Sequence, residues 1–458
     1  MLIVGAGIGG LSAALSLHAV GFDVQVIDSA ATLRPLGVGI NLLPHAVREL
    51  TELGLGDALA ASGVQTAEMV HFDRHGNRIW GFACGRDAGY DWPQYSIHRG
   101  ELQMILLDAV RTRLGTEAVR TGTVFEAFAE SPDGISVWTV DRATGAGAAL
   151  AADVLVGADG LYSGVRAQLH PDEPPPRWCG IKLWRGITPG IPFLTGRTVA
   201  VCGTNAARKF VAYPISREAE TQGKALINWV AEVMVSGEPT ESAETADTAE
   251  TAVTAESADT AESAVFAGGT GFADWNRGGL ASDVLPWFAD WTVGWLDIPA
   301  LISGAPEILE YPMVDRDPLP WWGRGRVTLL GDAAHPMYPI GANGGSQAVV
   351  DARVLAHSLA TASSPEEGLA AYEKRRLATV NAIVLACRDM PADRMLHTVS
   401  VRAPDGFDRV TDVLSAAELA AFDDAYQETT LPDVAALNSR PSFSPPQLAA
   451  GGPAFATA

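Results

Sequence analysis

Cysteine is scarce in this chain. Cys84, Cys179, Cys202 and Cys387 are the four in 458 residues, and no two form a C-x-x-C pair. That spacing argues against a disulfide framework or a zinc site and fits reduced, mostly buried thiols in a cytosolic protein. The nine histidines show no ligand spacing such as H-E-x-x-H, so no metal centre is expected. Basic residues are also few, with 32 Lys and Arg against 54 Asp and Glu, a net charge of −22. So acidic a chain repels a phosphate backbone, and nucleic acid is excluded as a partner. No apolar run reaches the roughly 18 residues of a membrane span. The first residues enter a strand at once, which leaves no room for a signal peptide, and the expected location is the cytoplasm. What remains is a 47% apolar chain too long for one core, so two lobes are expected.

Much of the acid excess is local. Residues 241 to 264 are eight triplets of the E-S-A, D-T-A and V-T-A kind, without a basic residue. A period of three leaves no apolar stripe to bury, so the expectation is a disordered acidic surface loop over 236–264.

Glycine carries the positive information, at five sites. They are G-A-G-I-G-G (Gly5 to Gly10), R-G-E-L (Arg99 to Leu102), G-A-D-G (Gly157 to Gly160), G-D-A-A-H-P (Gly331 to Pro336) and G-A-N-G-G (Gly341 to Gly345). The first follows the short apolar strand Leu2-Ile3-Val4 and precedes a helix marked by Leu11, Ala14, Leu15 and Ala19. Phe22, Val24 and Val26 then alternate as a second strand that ends at Asp28. Glycines there permit a tight turn, backbone approach to a pyrophosphate and close helix packing. The helix start offers unpaired N–H groups to phosphates, and an acid at the position of Asp28 can accept from ribose hydroxyls.

That fingerprint does not separate FAD from a nicotinamide nucleotide; the later sites do. Asp153 to Val156 is a strand running into Gly157-Ala158-Asp159-Gly160, followed by Ser163 and Arg166. Val327, Leu329 and Leu330 form a strand that delivers Gly331 and Asp332 to its carboxyl end, where ligands collect in open α/β sheets. Ala348, Ala352, Leu355 and Leu359 mark a helix whose first turn is Gly341 to Gly345. Its dipole can stabilise negative charge on a reduced isoalloxazine. His335 is read as shaping its turn rather than as a metal ligand. No nucleophile–base pair is apparent, so a cofactor must carry the chemistry.

In this order the motifs resemble the group A flavoprotein monooxygenases of the para-hydroxybenzoate hydroxylase type, over roughly residues 1 to 390. Tyr95 to Met104, Tyr311 to Pro320 and Met337 to Gly344 are similar to the phenazine-1-carboxylate-modifying branch of pyocyanin biosynthesis. The resemblance implies an α/β fold: a Rossmann-like FAD-binding domain with an inserted, mainly antiparallel sheet for substrate. It implies FAD at Gly5, Gly7, Ile8, Gly9, Gly10, Asp28, Ser29, Gly39, Arg99, Val124, Asp159, Gly331, Asp332, Gly341, Asn343 and Gly344, with Pro339 and Gly341 on the flavin face. It also implies NADH or NADPH as co-substrate, O2, and a C4a-hydroperoxyflavin that hydroxylates an electron-rich aromatic ring in secondary metabolism. Two alternatives stay open: a flavin dehydrogenase or oxidase that inserts no oxygen, and a non-enzymatic binding protein like the prenyl-GTPase escort proteins.

The expected division places 1–175 and 300–390 in the FAD-binding domain and 176–299 in the substrate domain, which part of 66–98 could join. Ile181 to Arg185, Phe210 to Tyr213 and Leu226 to Val230 read as antiparallel strands. On them Trp184, Tyr213 and Trp229, with Pro339, are the candidate walls for a flat aromatic substrate; core packing is the competing role for the three aromatics. Trp275, Trp287, Trp291 and Trp295 come next, in a helical, turn-rich stretch. Residues 391–458 read as a C-terminal helix and flexible tail without assigned chemistry. Leu414-Ser415-Ala416-Ala417-Glu418-Leu419 is a capping box with a hydrophobic staple, so a helix should start at Ser415, and beyond Leu431 the chain should fray.

Overall fold

The computed structural model describes residues 1–35, 37–235, 277–430 and 433–444. The acidic triplets, Trp275 and the last fourteen residues (445–458) lie outside these. A six-stranded sheet has Leu2–Val4 near its middle, parallel to Leu155–Gly157 on one side and Gln25–Ile27 on the other. Val327–Leu329 extends it beyond Leu155–Gly157, Val119–Arg120 closes the far side, and only the edge strand Gly323–Arg324 runs antiparallel. The strands Leu2–Val4, Leu155–Gly157 and Val327–Leu329 are buried throughout, as expected of a covered parallel sheet, and their core takes in Ile135 and Val137 of a three-stranded antiparallel sheet formed by Thr123–Ser131, Gly134–Asp141 and Gly147–Ala152. The helices Ile8–Ala19, Arg99–Leu114 and Asn343–Thr361 share one apolar core with this sheet. Register aligns the strand ends. Leu2 stands opposite Leu155, and Leu155 opposite Val327, so the turns opening at Gly5, Ala158 and Leu330 emerge side by side on one edge.

The second large sheet has seven strands in the order Ile308–Asp315, Arg177–Gly190, Ala225–Met234, Arg208–Pro214, Thr198–Gly203, Glu68–Phe72 and Arg78–Ala83. All its pairs are antiparallel except Thr198–Gly203 with Glu68–Phe72. The three predicted strands are there and pair as expected. Two strands come from the 66–98 stretch, and Ile308–Asp315 joins from beyond 299, so a boundary at 299/300 cuts the sheet one strand short. Among the described residues, no helix is long and apolar enough to cross a membrane.

The C-terminal part needs two corrections. Its capping box is as predicted: Ser415 Oγ accepts from Glu418 N at 3.2 Å, and Glu418 Oε2 accepts from Ser415 N at 2.8 Å. The segment after it does not fray entirely. Val434–Ser439 is a helix capped by Asp433, and its Leu437 is buried. Arg48 Nη1 donates to the Leu437 carbonyl at 3.0 Å, Arg440 pairs with Glu49, and Arg353 donates to Ser444 Oγ at 2.6 Å. The physical reason is that helices Pro44–Glu52 and Asn343–Thr361 bury Arg48, Glu49 and Arg353, which need partners that this segment supplies. Before it, a helix over Pro391–Arg402 packs Met395, Leu396 and Val399 against the seven-stranded sheet.

Candidate active site

A cavity of about 370 Å³ lies between the glycine edge of the first sheet and one face of the second. The glycine edge is made by backbone. Gly5 has φ +104°, and a Cβ there would stand 2.3 Å from the Ala158 carbonyl oxygen; one on Gly10 would stand 1.9 Å from that of Gly5. These two glycines let neighbouring turns close on each other. Gly7 is different, because a Cβ on it would meet nothing within 4 Å, so its bare backbone faces open space in the cavity. It begins the helix Ile8–Ala19, whose first turn has no side-chain cap. The helix Asn343–Thr361 also starts uncapped at the cavity, after Gly341 and Ala342 in left-handed conformation. By contrast His98 caps Arg99–Leu114 and Ser364 caps Pro365–Asp389. Two helix starts with free amides facing one space suit an anionic, phosphate-bearing ligand. Gly344 and Gly345 line the same space, where a Cβ would meet neighbours only at 3.8 Å or beyond, so these residues fit a flavin dinucleotide.

Of the predicted cofactor residues, Gly7, Ile8, Gly9, Gly39, Arg99, Gly331, Asp332, Gly341, Asn343 and Gly344 line the cavity. Gly5 and Gly10 sit just behind it. Asp28 closes its strand as expected, and its two oxygens accept from Ala6 N at 2.7 Å and Ala30 N at 2.8 Å. Ser29 is next in the chain, and Val124 lies in the strand whose first residue, Thr123, donates its N–H to the Asp28 carbonyl. Asp159 is turned elsewhere. Its carboxylate accepts from Ser163 Oγ at 2.5 Å and from Gly164 N at 2.8 Å, holding the start of helix Gly164–Leu169, while Ala158 and Gly160 line the cavity. Burial pushes the Asp159 carboxyl above its ordinary range against the pull of those donors.

Two buried networks tie the turns together. Arg166 pairs with Glu173 and donates from Nη1 to the carbonyls of Ala333 and Ala334 at 3.0 and 2.9 Å, joining the G-A-D-G segment to the G-D-A-A-H-P turn. His335 bonds Asp351 at 2.5 Å, and Arg376 donates to the same carboxylate at 2.7 Å. Burial raises that carboxyl, but Arg376 and His335 outweigh it, and Asp351 ends below the usual carboxylate range.

The opposite wall is made by side chains, and here parity rules. Successive strand residues point to opposite faces, so Arg185, Val199, Val201, Lys209, Val211, Tyr213, Val230 and Glu232 face the cavity. Trp184 and Trp229 fall on the other face, which corrects their assignment as substrate walls. Trp184 is 2% exposed and bonds Glu310; Trp229 is 0% exposed, bonds Thr188 and stacks on Phe210. Both belong to a core with Phe288 and Trp291. Tyr213 does line the cavity, as does Pro339. The Tyr213 hydroxyl donates to the Gly39 carbonyl at 2.8 Å, and Asn228 Oδ1 accepts from Gly39 N at 2.6 Å, which fastens this wall to the strand Gly39–Leu42.

Sequence reasoning missed Arg185, the Lys209–Glu232 pair at 3.1 Å, and the whole contribution of Met390, Ala392, Asp393 and Leu396. Asp393 accepts from Thr204 Oγ1 at 2.8 Å and Asn205 N at 2.7 Å, binding the Pro391–Arg402 helix to the sheet's end. Strand periodicity around Phe210 to Tyr213 would have placed Lys209 beside Val211 and Tyr213. No local signal marks Asp393.

The sequence profile of the FAD binding domain family matches residues 1–266 and 318–386. The chain belongs to this family. It is 47% identical to the phenazine 1,6-dicarboxylic acid hydroxylase PhzS of Lysobacter antibioticus, over 87% of this chain and 91% of that one. It is 31% identical to the aurachin C monooxygenase/isomerase of Stigmatella aurantiaca, over 84% of this chain and 86% of that one. It is 29% identical to 3-hydroxybenzoate 6-hydroxylase 1 of Aquipseudomonas alcaligenes, over 82% and 85%. The crystal structure of Klebsiella pneumoniae HpxO with FAD and uric acid has the same fold, with TM-score 0.66 at 24% identity over 93% of each chain. This flavoprotein is an FAD-dependent aromatic monooxygenase of the para-hydroxybenzoate hydroxylase type. The fold expectation holds. So does the expectation of an oxygen-inserting enzyme over the escort-protein and dehydrogenase readings.

Proposed function

We propose that this flavoprotein hydroxylates a planar, fused heteroaromatic acid of the phenazine class, with electrons from NADH or NADPH and oxygen from O2, in the cytoplasm. The observation that supports this most is a cavity joining the backbone-lined rim to an apolar sheet face, in a chain 47% identical to a phenazine dicarboxylate hydroxylase. FAD would be held by Gly5 to Gly10 and the helix start behind them, by Asp28 with Ser29 and Val124, and by Gly39 and Arg99. The Asp159 segment, Gly331, Asp332, Gly341, Asn343 and Gly344 complete the set, with Pro339 and Gly341 on the ring side. Bound FAD supplies the redox and oxygen-activating chemistry. The chain's own work is to orient the ring and exclude water. Val199, Val201, Val211 and Val230 offer it a flat apolar face, while Tyr213 and Asn228 keep that face at a fixed distance from Gly39.

The test is a screen of aromatic acids, phenazine carboxylates included, for stimulation of NADH and NADPH oxidation under 18O2, with mass detection of product. Label in a hydroxylated phenazine supports the reading. Stimulated oxidation without label returns the oxidase alternative, and stimulation only by single-ring acids overturns the substrate class.

A further inference from the structure

The cavity face of the seven-stranded sheet carries a row of side chains that its register sets in line. Arg185 stands opposite Val230, Val230 opposite Val211, Val211 opposite Val201, and Val201 opposite His71. Neighbouring strands lie about 4.8 Å apart, so three valines span the middle of a strip roughly 19 Å long. One end is a guanidinium and the other an imidazole that burial keeps neutral, its pKa lowered to about 3.

The two cations on this face differ in how they are matched. Lys209 is held by Glu232 at 3.1 Å, by Asn205, and at 4.0 Å by Asp393. Arg185 has no ion pair among the described residues. Tyr311 shares a side-chain hydrogen bond with it, its guanidinium lies 5.7 Å from the Tyr311 ring centroid, and its buried Nε has no hydrogen-bond partner among the described residues. Burial works against the charge, but Tyr311, Tyr213 and Glu232 outweigh it, so the guanidinium stays ionised. A guanidinium that lines the cavity at the end of an apolar strip, with no carboxylate paired to it among the described residues, is a ready partner for an anion.

We infer that Arg185 is the specificity-determining residue of this cavity, binding an anionic substituent, a carboxylate above all, at one end of an aromatic ring system that lies along Val230, Val211 and Val201. The inference rests on reading this cavity as the ring site. It adds which end of the strip takes the anion and which residue reads it.

The experiment compares phenazine-1-carboxylate with unsubstituted phenazine on the FAD-loaded enzyme, by kcat/KM and by perturbation of the flavin absorbance on binding. Wild type should prefer the carboxylate. Arg185→Gln should lower that preference about 10- to 100-fold through KM, with FAD retention and the response to phenazine unchanged. Arg185→Lys should keep part of it, since an ammonium retains charge without the planar fork. If the glutamine variant does not hold FAD, the lysine variant carries the test, weakening the carboxylate and leaving phenazine alone. An unchanged preference in either Arg185 variant, or no carboxylate preference in wild-type binding, overturns the inference. Binding is measured without turnover, so a wild type that binds with this preference but does not hydroxylate faults only the functional reading.

Discussion

The two walls of the cavity are built by different means. The glycine edge is a backbone surface: turns after Val4, Gly157 and Leu329 brought side by side by parallel register, with two helix starts left uncapped. The sheet face is a side-chain surface, where Val230 faces the cavity and its neighbour Trp229 faces a separate core. A backbone site depends on conformation at fixed positions and tolerates little variation. A side-chain wall can change its ligand with one substitution and no change of fold.

The largest effects should come from paired changes that test this contrast. Arg166→Met and Trp229→Ala should each cost about 3 kcal/mol or more, the first by taking the buried donor from the Ala333 and Ala334 carbonyls and leaving Glu173 to Arg316 alone, the second by opening the core. Urea unfolding monitored by far-UV circular dichroism measures both. Only Arg166→Met should also release FAD, because it alone anchors the turns of the glycine edge. Equal flavin loss in both would dissolve the distinction.

Asp332→Ala should weaken FAD binding by about 1.5–3 kcal/mol, one to two decades, if it provides a charge-assisted hydrogen bond. Asp159→Ala should instead cost about 1 kcal/mol of stability through its helix start, with FAD affinity near that of wild type. Titration of the apoproteins with FAD separates them, and matching affinities for the two variants would count against Asp332 as a ligand.

The pH response should divide the same way. His71 on the sheet face and His45 beneath the rim are both buried, with pKa lowered to about 3 by loss of water, and then by Lys209 for His71 and Arg376 for His45. An unfolded histidine takes up its proton near pH 6.5, so below that the unfolded state binds more protons and stability falls with pH down to about 3. Each should contribute a slope of about 1.4 kcal/mol per pH unit in that window, or roughly 2 kcal/mol between pH 6.5 and 5. His71→Gln should remove its share from the urea midpoint's pH dependence, and an unaltered slope would show that His71 is protonated in the fold. The smallest change is Ser415→Ala at the capping box, far from both walls. It should cost about 0.5–2 kcal/mol in the melting curve and leave FAD and substrate constants alone.

Legibility in the sequence divides along the same line. Gly5, Gly7, Gly331 and Gly341 could be placed because a turn, a strand end and a helix start are local patterns. Choosing among Trp184, Tyr213 and Trp229 required knowing which face of each strand looks inward. That is a matter of parity set by pairing between residues 15 to 47 positions apart, from Tyr213 with Asn228 to Trp184 with Ala231, and aromatic character pointed to the core face instead. The role of Asp393 and the docking of Arg440 on Glu49 join charges far apart in sequence, with no periodicity to announce them. The capping box at Ser415 was readable because cap chemistry closes within four residues.

The order of strands in the first sheet has a consequence for how the molecule is made. The glycine edge proposed to receive the cofactor needs Leu2–Val4, then Leu155–Gly157, then Val327–Leu329, and after these the helix start at Asn343. A nascent chain emerging N-terminus first therefore carries the glycine fingerprint for most of its synthesis without a cavity to go with it. Loop closure over such separations is slow and comes late, so flavin loading is a post-translational event or nearly one. The segment around Arg440, which neutralises buried Glu49, leaves the ribosome later still.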